Sequence, residues 1–334
     1  MIRASIVGAT GYTGAELVKL LLTHPNMEIS GLFAREEANL IDLYPAFDGV
    51  FDQKIEPIDT KVIAQKSDIV FLALPHKTSM EVAKPLLEAG VKIVDLSADY
   101  RLELENYEAF YTTHTDQEHL KDAVYGLPEI WRTSIEKANL VANPGCYPTA
   151  TLLALIPFLP YIDPNYPIMI DAKSGVSGAG KKCSQKTHFV SIDENIFAYS
   201  PIVHRHSIEI KEKIEKLAKS EFDINFVPHL LPLTRGMLVS CYLLLNEPID
   251  PMEVLRDFYA DEAFVRIKDE PVDVKSVAGT HFCDIFAKAN GKSLFISSAI
   301  DNLLRGASSQ ALANANIMMG IDEAAGLPKI AYIP

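Results

Sequence analysis

Cysteine and tryptophan are scarce in this chain: its 334 residues include four of the first and one of the second. Cys146, Cys183, Cys241 and Cys283 lie far apart with no paired spacing. That excludes a disulfide-stapled fold and a zinc site built on paired cysteines, so no metal is expected. Long apolar runs are missing as well. None approaches the roughly 20 residues that a membrane helix needs. No basic-then-apolar segment opens the chain, because residues 2–7 run directly into a glycine turn. The expectation is a cytoplasmic protein with no membrane partner. Positive charge is short too: 31 Lys and Arg against 44 Asp and Glu leave a net charge of −13. With no basic cluster to offset it, that balance excludes binding along a nucleic-acid backbone and requires locally placed cations for any anionic substrate. There is no internal repeat and no low-complexity stretch. What the chain does have is 48% hydrophobic residues, enough for a sizeable core. Its length suits two domains.

The first part alternates apolar strands with helical segments. Strands are expected at residues 2–7, 27–33, 69–74, 91–95 and 140–142, with helices at 12–23 and 77–89. Residues 69–74 are almost wholly apolar, as a parallel strand covered on both faces should be. This alternation is that of a doubly wound α/β sheet of Rossmann type. Beyond Cys146 the pattern changes. Strands are expected at 168–172, 224–227, 237–245, 264–267, 285–289 and 293–300, and Asn290-Gly291 marks a hairpin. With helices at 208–217 and 251–259, this reads as an α+β domain with a mixed, mostly antiparallel sheet. An alanine-rich helix, 303–319, closes the chain and is expected to pack back on the first domain. The boundaries are therefore 1–146 plus 303–334 for the dinucleotide domain and 147–302 for the second.

Three constellations carry chemistry. The segment from Ala142 to Pro148, AlaAsnProGlyCysTyrPro, reads as a strand end, a tight turn, Cys146 and a helix start. A cysteine at a helix N-terminus is favoured as thiolate, the form a nucleophile needs. The alternative is a cysteine buried as a small hydrophobe. Residues 8–14, GlyAlaThrGlyTyrThrGly, join the first strand to the first helix. Gly8, Gly11 and Gly14, with Thr10, Tyr12 and Thr13 between them, suit a backbone that approaches a pyrophosphate at a helix N-terminus. The spacing is Gly-x-x-Gly-x-x-Gly, and a turn made for packing alone remains the alternative. Arg35 follows the second strand, where an arginine favours the 2′-phosphate of NADP. Glu36 and Glu37 beside it leave open a solvated loop arginine. The third constellation is His204-Arg205-His206 before a helix. It offers a base kept neutral by the helix dipole, and an anion clamp. SerGlyValSerGlyAlaGly, from Ser174, offers backbone and hydroxyls after a strand. Arg101 and Arg235 are further candidate anion ligands.

Together these segments resemble the N-acetyl-γ-glutamyl-phosphate reductases over essentially the whole chain. The specific marks are AsnProGlyCysTyrProThr from Asn143, HisArgHis from His204, and LeuProLeuThrArgGly, which ends at Gly236. Aspartate-semialdehyde dehydrogenases are similar in plan but differ in their cysteine segment. The resemblance implies an NADPH/NADP+-dependent enzyme of arginine biosynthesis acting on a small acyl phosphate. Cys146 would form a thioester with loss of phosphate, and hydride reduction would give a thiohemiacetal that collapses to the semialdehyde. It also implies His204 as base and acid, His206 at the substrate, Arg101 and Arg205 at its phosphate and carboxylate, Ser177 and Gly178 by the nicotinamide, and Asn302 near the carboxamide. A homo-oligomer, dimer or tetramer, is expected. Ser207-Ile208, His281 and Ser309 depart from the family pattern; the first should loosen the helix start. A related branch acts on substrates held by an acidic carrier, which so acidic a chain disfavours. A dinucleotide sensor without catalysis is the competing reading.

Overall fold

The computed structural model describes residues 1–333. The chain divides into two compact units, Met1–Gly145 with Ala307–Leu327, and Cys146–Gly306 with Pro328–Pro334.

The first unit is built on eight strands: β1 (Ile2–Val7), β2 (Met27–Ala34), β3 (Ala38–Asn39), β4 (Lys54–Pro57), β5 (Ile69–Leu72), β6 (Lys92–Asp95), β7 (Val124–Tyr125) and β8 (Leu140–Ala142). Their order is β3-β4-β2-β1-β5-β6-β8-β7. Every pairing is parallel except β3 with β4. All four residues of β5 are buried, as its unbroken apolar run required. Helix Tyr12–Leu21 follows β1 and buries Leu17, Val18, Leu20 and Leu21. The last helix, Ser309–Met318, belongs to this unit and is buried along its whole length. Polar side chains on it serve the unit's interior: Gln310 Nε2 and Asn314 Nδ2 both donate to the carbonyl of Gly126, at 3.0 and 2.9 Å.

The second unit carries β9 (Ile168–Gly175), β10 (Phe197–Ala198), β11 (Ile224–Leu231), β12 (Met237–Leu244), β13 (Val265–Ile267), β14 (Cys283–Asn290) and β15 (Ser293–Ile300). The order is β10-β11-β9-β12-β15-β14-β13. Four pairings are antiparallel; β11 with β9 and β13 with β14 are parallel. The β14–β15 hairpin turns at Gly291, whose φ of +59° lies in the left-handed region.

Three boundaries differ from the expected ones. Cys146, residues 303–306 and the tail all fall in the second unit. Cys146 opens a helix, Cys146–Leu155, whose remaining residues are all buried in the second unit, so the cysteine goes with its helix. The tail is stitched to the same unit by two main-chain bonds, His281 N–H to the Pro328 carbonyl at 2.9 Å and Tyr332 N–H to the Ala278 carbonyl at 3.0 Å. The expected single helix over 303–319 is two elements, a π-helical turn at Leu304–Ser308 and the α-helix Ser309–Met318.

Candidate active site

The turn before Cys146 is held at every polar atom of Asn143. Its N–H donates to the Asp95 carbonyl at 2.8 Å. Its carbonyl accepts from Arg101 Nε at 2.7 Å. Its side chain donates to the Ala307 carbonyl at 3.2 Å and accepts from Asn314 Nδ2 at 3.0 Å. Arg101 also gives a terminal nitrogen to the Leu96 carbonyl at 2.7 Å. The guanidinium is buried, and two of its nitrogens hold main chain. Its geometry is that of a brace for the turn, where an anion ligand was expected.

Cys146 is the first residue of its helix and is partly exposed. On the second unit's side it lies against Gly306: an ideal Cβ there would come within 2.7 Å of Cys146 Cβ and 3.2 Å of its Cα. Only glycine allows that approach. Gly306 sits in the π-helical turn Leu304–Ser308, a geometry often found where function needs it.

The histidines gather around the neighbour of the cysteine. The Tyr147 ring meets His204 edge-on at 6.0 Å and His206 at 5.8 Å, and the two imidazoles are 4.8 Å apart. Tyr199 and Phe226 close the cluster at 5.4 and 5.5 Å from His204. The Tyr199 hydroxyl donates to that of Tyr147 at 3.1 Å, which donates to the His229 carbonyl at 3.1 Å. Burial pushes both tyrosines up, Tyr199 to about 12, and negative charge on Cys146 adds to the effect on each. Sulfur and hydroxyls thus share one electrostatic environment.

His204 is pushed down to about 4, first by burial and second by the Arg205 charge. A neutral imidazole was expected, but from the helix dipole. The helix is His206–Ala218, so His206 is its first residue and Arg205 its cap. His204 Nδ1 accepts the His206 N–H at 3.2 Å. A neutral ring that accepts through Nδ1 carries its proton on Nε2. In this arrangement Nε2 is the donor nitrogen of His204. The helix start is not loosened by Ser207: its N–H reaches the His204 carbonyl at 2.8 Å and its hydroxyl the Ile202 carbonyl at 3.2 Å. Arg205 is exposed, and its charge lowers both His204 and Tyr199. Arg235 is turned to Asp301 at 3.4 Å and the Tyr332 hydroxyl at 3.0 Å.

The first unit carries a loop that suits a dinucleotide phosphate, and the second an ordered loop after β9. In the first, Gly8 has φ +96° and a Cβ there would run into the Ala73 carbonyl oxygen at 2.2 Å. A Cβ on Gly14 would meet the Gly8 carbonyl oxygen at 2.4 Å. Gly11 caps helix Tyr12–Leu21 with no side-chain hydrogen bond, so no side-chain cap satisfies the first-turn N–H groups, which suit an anion. Tyr44 donates to the Thr10 carbonyl at 2.9 Å and Ser308 to that of Thr13 at 2.9 Å, so the loop is anchored by its carbonyls. Arg35 is exposed just past β2. These features fit a dinucleotide phosphate. In the second unit Asn302 Nδ2 donates to Ser177 Oγ at 3.0 Å, and Oδ1 accepts the Gly236 N–H at 2.7 Å. Gly178 adjoins them, with an ideal Cβ 3.5 Å from Asn302 Nδ2. Residues 174–180 are therefore ordered: β9 runs to Gly175, and a 3-10 turn covers Val176–Ala179. Among the described residues no group of three or more His, Cys, Asp or Glu could hold a metal ion.

The sequence alone assigns no role to Tyr147, which lies within the cysteine segment, nor to Tyr199, Phe226 and Gly306. Gly306 alone left a signal, an isolated glycine inside an apparently helical run.

Two family models match, "Semialdehyde dehydrogenase, NAD binding domain" over residues 3–138 and "Semialdehyde dehydrogenase, dimerisation domain" over residues 146–302. A protein of Sulfurovum sp. called N-acetyl-gamma-glutamyl-phosphate reductase is 59% identical over 100% of both chains. One of the same name from Wolinella succinogenes is 55% identical over 100% of this chain and 99% of its own. Among solved structures, aspartate semialdehyde dehydrogenase II of Vibrio cholerae superposes with a TM-score of 0.72 at 17% identity, over 96% of this chain and 98% of that one. The Candida albicans aspartate semialdehyde dehydrogenase with NADP gives 0.69 at 15% identity, over 96% and 98%. Those two likenesses concern the fold. The chain belongs to the N-acetyl-gamma-glutamyl-phosphate reductase family.

Proposed function

From membership of this family we propose that the protein catalyses the NADPH-dependent reductive dephosphorylation of N-acetyl-γ-glutamyl phosphate to N-acetylglutamate 5-semialdehyde, in arginine biosynthesis. The observation that carries the reading is Cys146 on the first turn of a helix, with Gly306 against it and two imidazoles around the next residue. Cys146 sulfur attacks the acyl carbon; a C–S bond forms, the C–O bond to phosphate breaks, and phosphate leaves with the electron pair. Gly8, Thr10, Gly11, Tyr12, Thr13 and Gly14 would hold the NADPH pyrophosphate, Arg35 its 2′-phosphate, and Ser177 and Gly178 the nicotinamide end. When bound, NADPH supplies the hydride that reduces the acyl carbon. Asn302 sets the Ser177 hydroxyl.

The Nδ1 contact of His204 supports a division of roles between the two histidines. With that nitrogen occupied and the proton on Nε2, His204 is a donor to substrate oxygen. We assign the base that takes the Cys146 proton to His206, whose ring lies 5.8 Å from that of Tyr147. This reverses the division expected from the resemblance. Arg205, exposed beside His204 and Tyr199, receives a substrate anion; Arg101 braces the Cys146 turn through two of its nitrogens.

The protein acts as a homo-oligomer, first of all a dimer. The second sheet leaves an uncovered row across four strands, Met169, Tyr242, Phe295 and Lys288, paired in register. Met169 and Tyr242 are exposed. A second copy suits this apolar row better than a polar ligand does. No described helix is long and apolar enough to cross a membrane. A cytoplasmic site, where four cysteines stay reduced, completes the reading.

The reaction run backwards tests it. N-Acetylglutamate semialdehyde, phosphate and NADP+ should produce NADPH absorbance, with phosphate required and the unacetylated aldehyde much weaker. Phosphate-independent turnover would contradict the acyl-phosphate chemistry. Equal use of unacetylated substrate would shift the reading to the carrier-linked branch. NADPH binding without turnover on any of these would favour the sensor.

A further inference from the structure

Among the described residues Arg305 is the largest side chain that is completely buried. A buried guanidinium is costly unless its donors are used. One terminal nitrogen lies 2.6 Å from His281 Nε2, and His281 is itself fully buried. Since an arginine donates only, His281 Nε2 must accept, so the ring is neutral with its proton on Nδ1. Burial and the neighbouring guanidinium both hold it in that state. His281 is fixed in turn. Its N–H donates to the Pro328 carbonyl at 2.9 Å, and its ring packs edge-on against Phe264 at 4.7 Å.

The position of Arg305 gives the pair its meaning. It belongs to the π-helical turn Leu304–Ser308, and the next residue is Gly306, which touches Cys146. The turn is anchored at its other end by Asp301. That carboxylate accepts the N–H groups of Leu303 and Leu304 at 2.9 and 3.0 Å, and of Gly279 at 2.8 Å. The Asp301 carbonyl accepts the Gly306 N–H at 2.9 Å. One π-helical turn is thus clamped from two sides, by Asp301 through main chain and by His281 through Arg305. Its far surface is the wall against Cys146.

We propose that His281 and Arg305 are positioning residues for Cys146: their buried hydrogen bond sets the π turn that holds Gly306 against the nucleophile. The inference rests on the reading of Cys146 as nucleophile. A misplacement of the order of 1 Å at a reacting group costs roughly a hundredfold in rate. Loss of the bond should therefore appear in kcat and in thiol reactivity rather than in cofactor binding.

The test compares His281→Leu, which removes the acceptor, with His281→Asn, which restores one. Each is read by kcat and KM in the reverse reaction, by iodoacetamide modification of Cys146 followed by peptide mass, and by thermal melting. His281→Leu should lose about ten- to a hundredfold in kcat, with altered alkylation, while KM for NADP+ stays within about twofold. His281→Asn should recover most of that loss. Unchanged kcat and alkylation in His281→Leu would overturn the proposal, and so would equal impairment in both variants, which would make the effect one of packing volume. If His281→Leu does not fold, Arg305→Lys replaces it: it keeps the charge and loses the fork. Reduced kcat in a folded Arg305→Lys supports the proposal, and wild-type kcat overturns it. Cys146→Ser is run alongside. If it stays active the nucleophile reading has failed; if it is dead while His281→Leu is normal, only the positioning role has.

Discussion

Replacing Gly306 by alanine is the smallest change that reaches the proposed nucleophile. The added Cβ would sit 2.7 Å from Cys146 Cβ, 3.2 Å from its Cα and 3.4 Å from the Asp301 carbonyl oxygen. Carbon atoms in contact prefer about 3.5–4.0 Å. Either the cysteine or the π turn must therefore yield by about 1 Å, because neither neighbour is the far end of a flexible side chain. Overpacking of this kind destabilises by about 1–3 kcal/mol. For a chain of this size that lowers the melting temperature by only several degrees. The same displacement at the reacting sulfur costs about a hundredfold in rate. Gly306→Ala should thus remain folded, bind NADPH as before, and lose ten- to a hundredfold in kcat with little change in KM. Steady-state kinetics in the reverse direction, a melting curve and NADPH fluorescence give the three readings. Wild-type kcat in the folded variant would refute the placement of Gly306 against the nucleophile. A KM effect alone would mean that the turn shapes the substrate pocket.

Other consequences can be checked with single variants. Arg35→Ala should raise KM for NADPH, by an interaction of about 1.5–3 kcal/mol, and leave KM for NADH nearly unchanged; equal effects on both would make Arg35 a surface residue. His206→Asn should slow alkylation of Cys146 near neutral pH and cost ~10²–10⁴ in turnover, whereas His204→Asn should act mainly on the KM of the acyl phosphate. The opposite ranking would return the base role to His204. Asp95, fully buried, is pushed up to about 6 by burial and then by the Asp99 charge. The folded state binds that proton more tightly than the unfolded one. The stability it contributes is therefore complete below about pH 4 and lost as pH rises through about 6, on the order of 3 kcal/mol. The melting temperature of Asp95→Asn relative to wild type should rise between pH 5 and 7.5; a gap independent of pH would show that the Asp95 carboxyl is not pushed up in the fold.

Much of the architecture was legible because it is written locally. Strands β1, β8 and β15 occupy the residues expected of them, and β2 and β12 differ by one at an end. Glycine or asparagine stands at or near an end of each run, as Gly8 after β1 and Asn26 before β2, and punctuates it. The short strands β3, β4, β7 and β10 were not foreseen. Two to four residues carry no period, and only pairing with a neighbour makes them strands. The π turn at Leu304–Ser308 was hidden in a run that composition reads as one helix. The site divides in the same way. The cysteine turn, the glycine loop and the histidine pair are contiguous motifs. The packing of Tyr147 on His204 and of Gly306 on Cys146 joins residues 57 and 160 positions apart, and tertiary structure alone brings them together. The histidine tautomer depends on one main-chain N–H and has no sequence signature at all. The bracing by Arg101 was hidden for a related reason: an arginine kept for an anion and one that holds carbonyls look alike until the carbonyls are placed.

The central claim is that Cys146 carries the acyl group, and it can be observed without any hydride transfer. Enzyme mixed with N-acetyl-γ-glutamyl phosphate in the absence of NADPH should release about one equivalent of phosphate per active site in a burst. Intact mass, then peptide mapping, should show the N-acetylglutamyl group on Cys146 as a thioester that hydroxylamine removes. Cys146→Ser should show neither burst nor adduct. A burst that persists in Cys146→Ser, an adduct on another residue, or phosphate release only when NADPH is present would contradict the account.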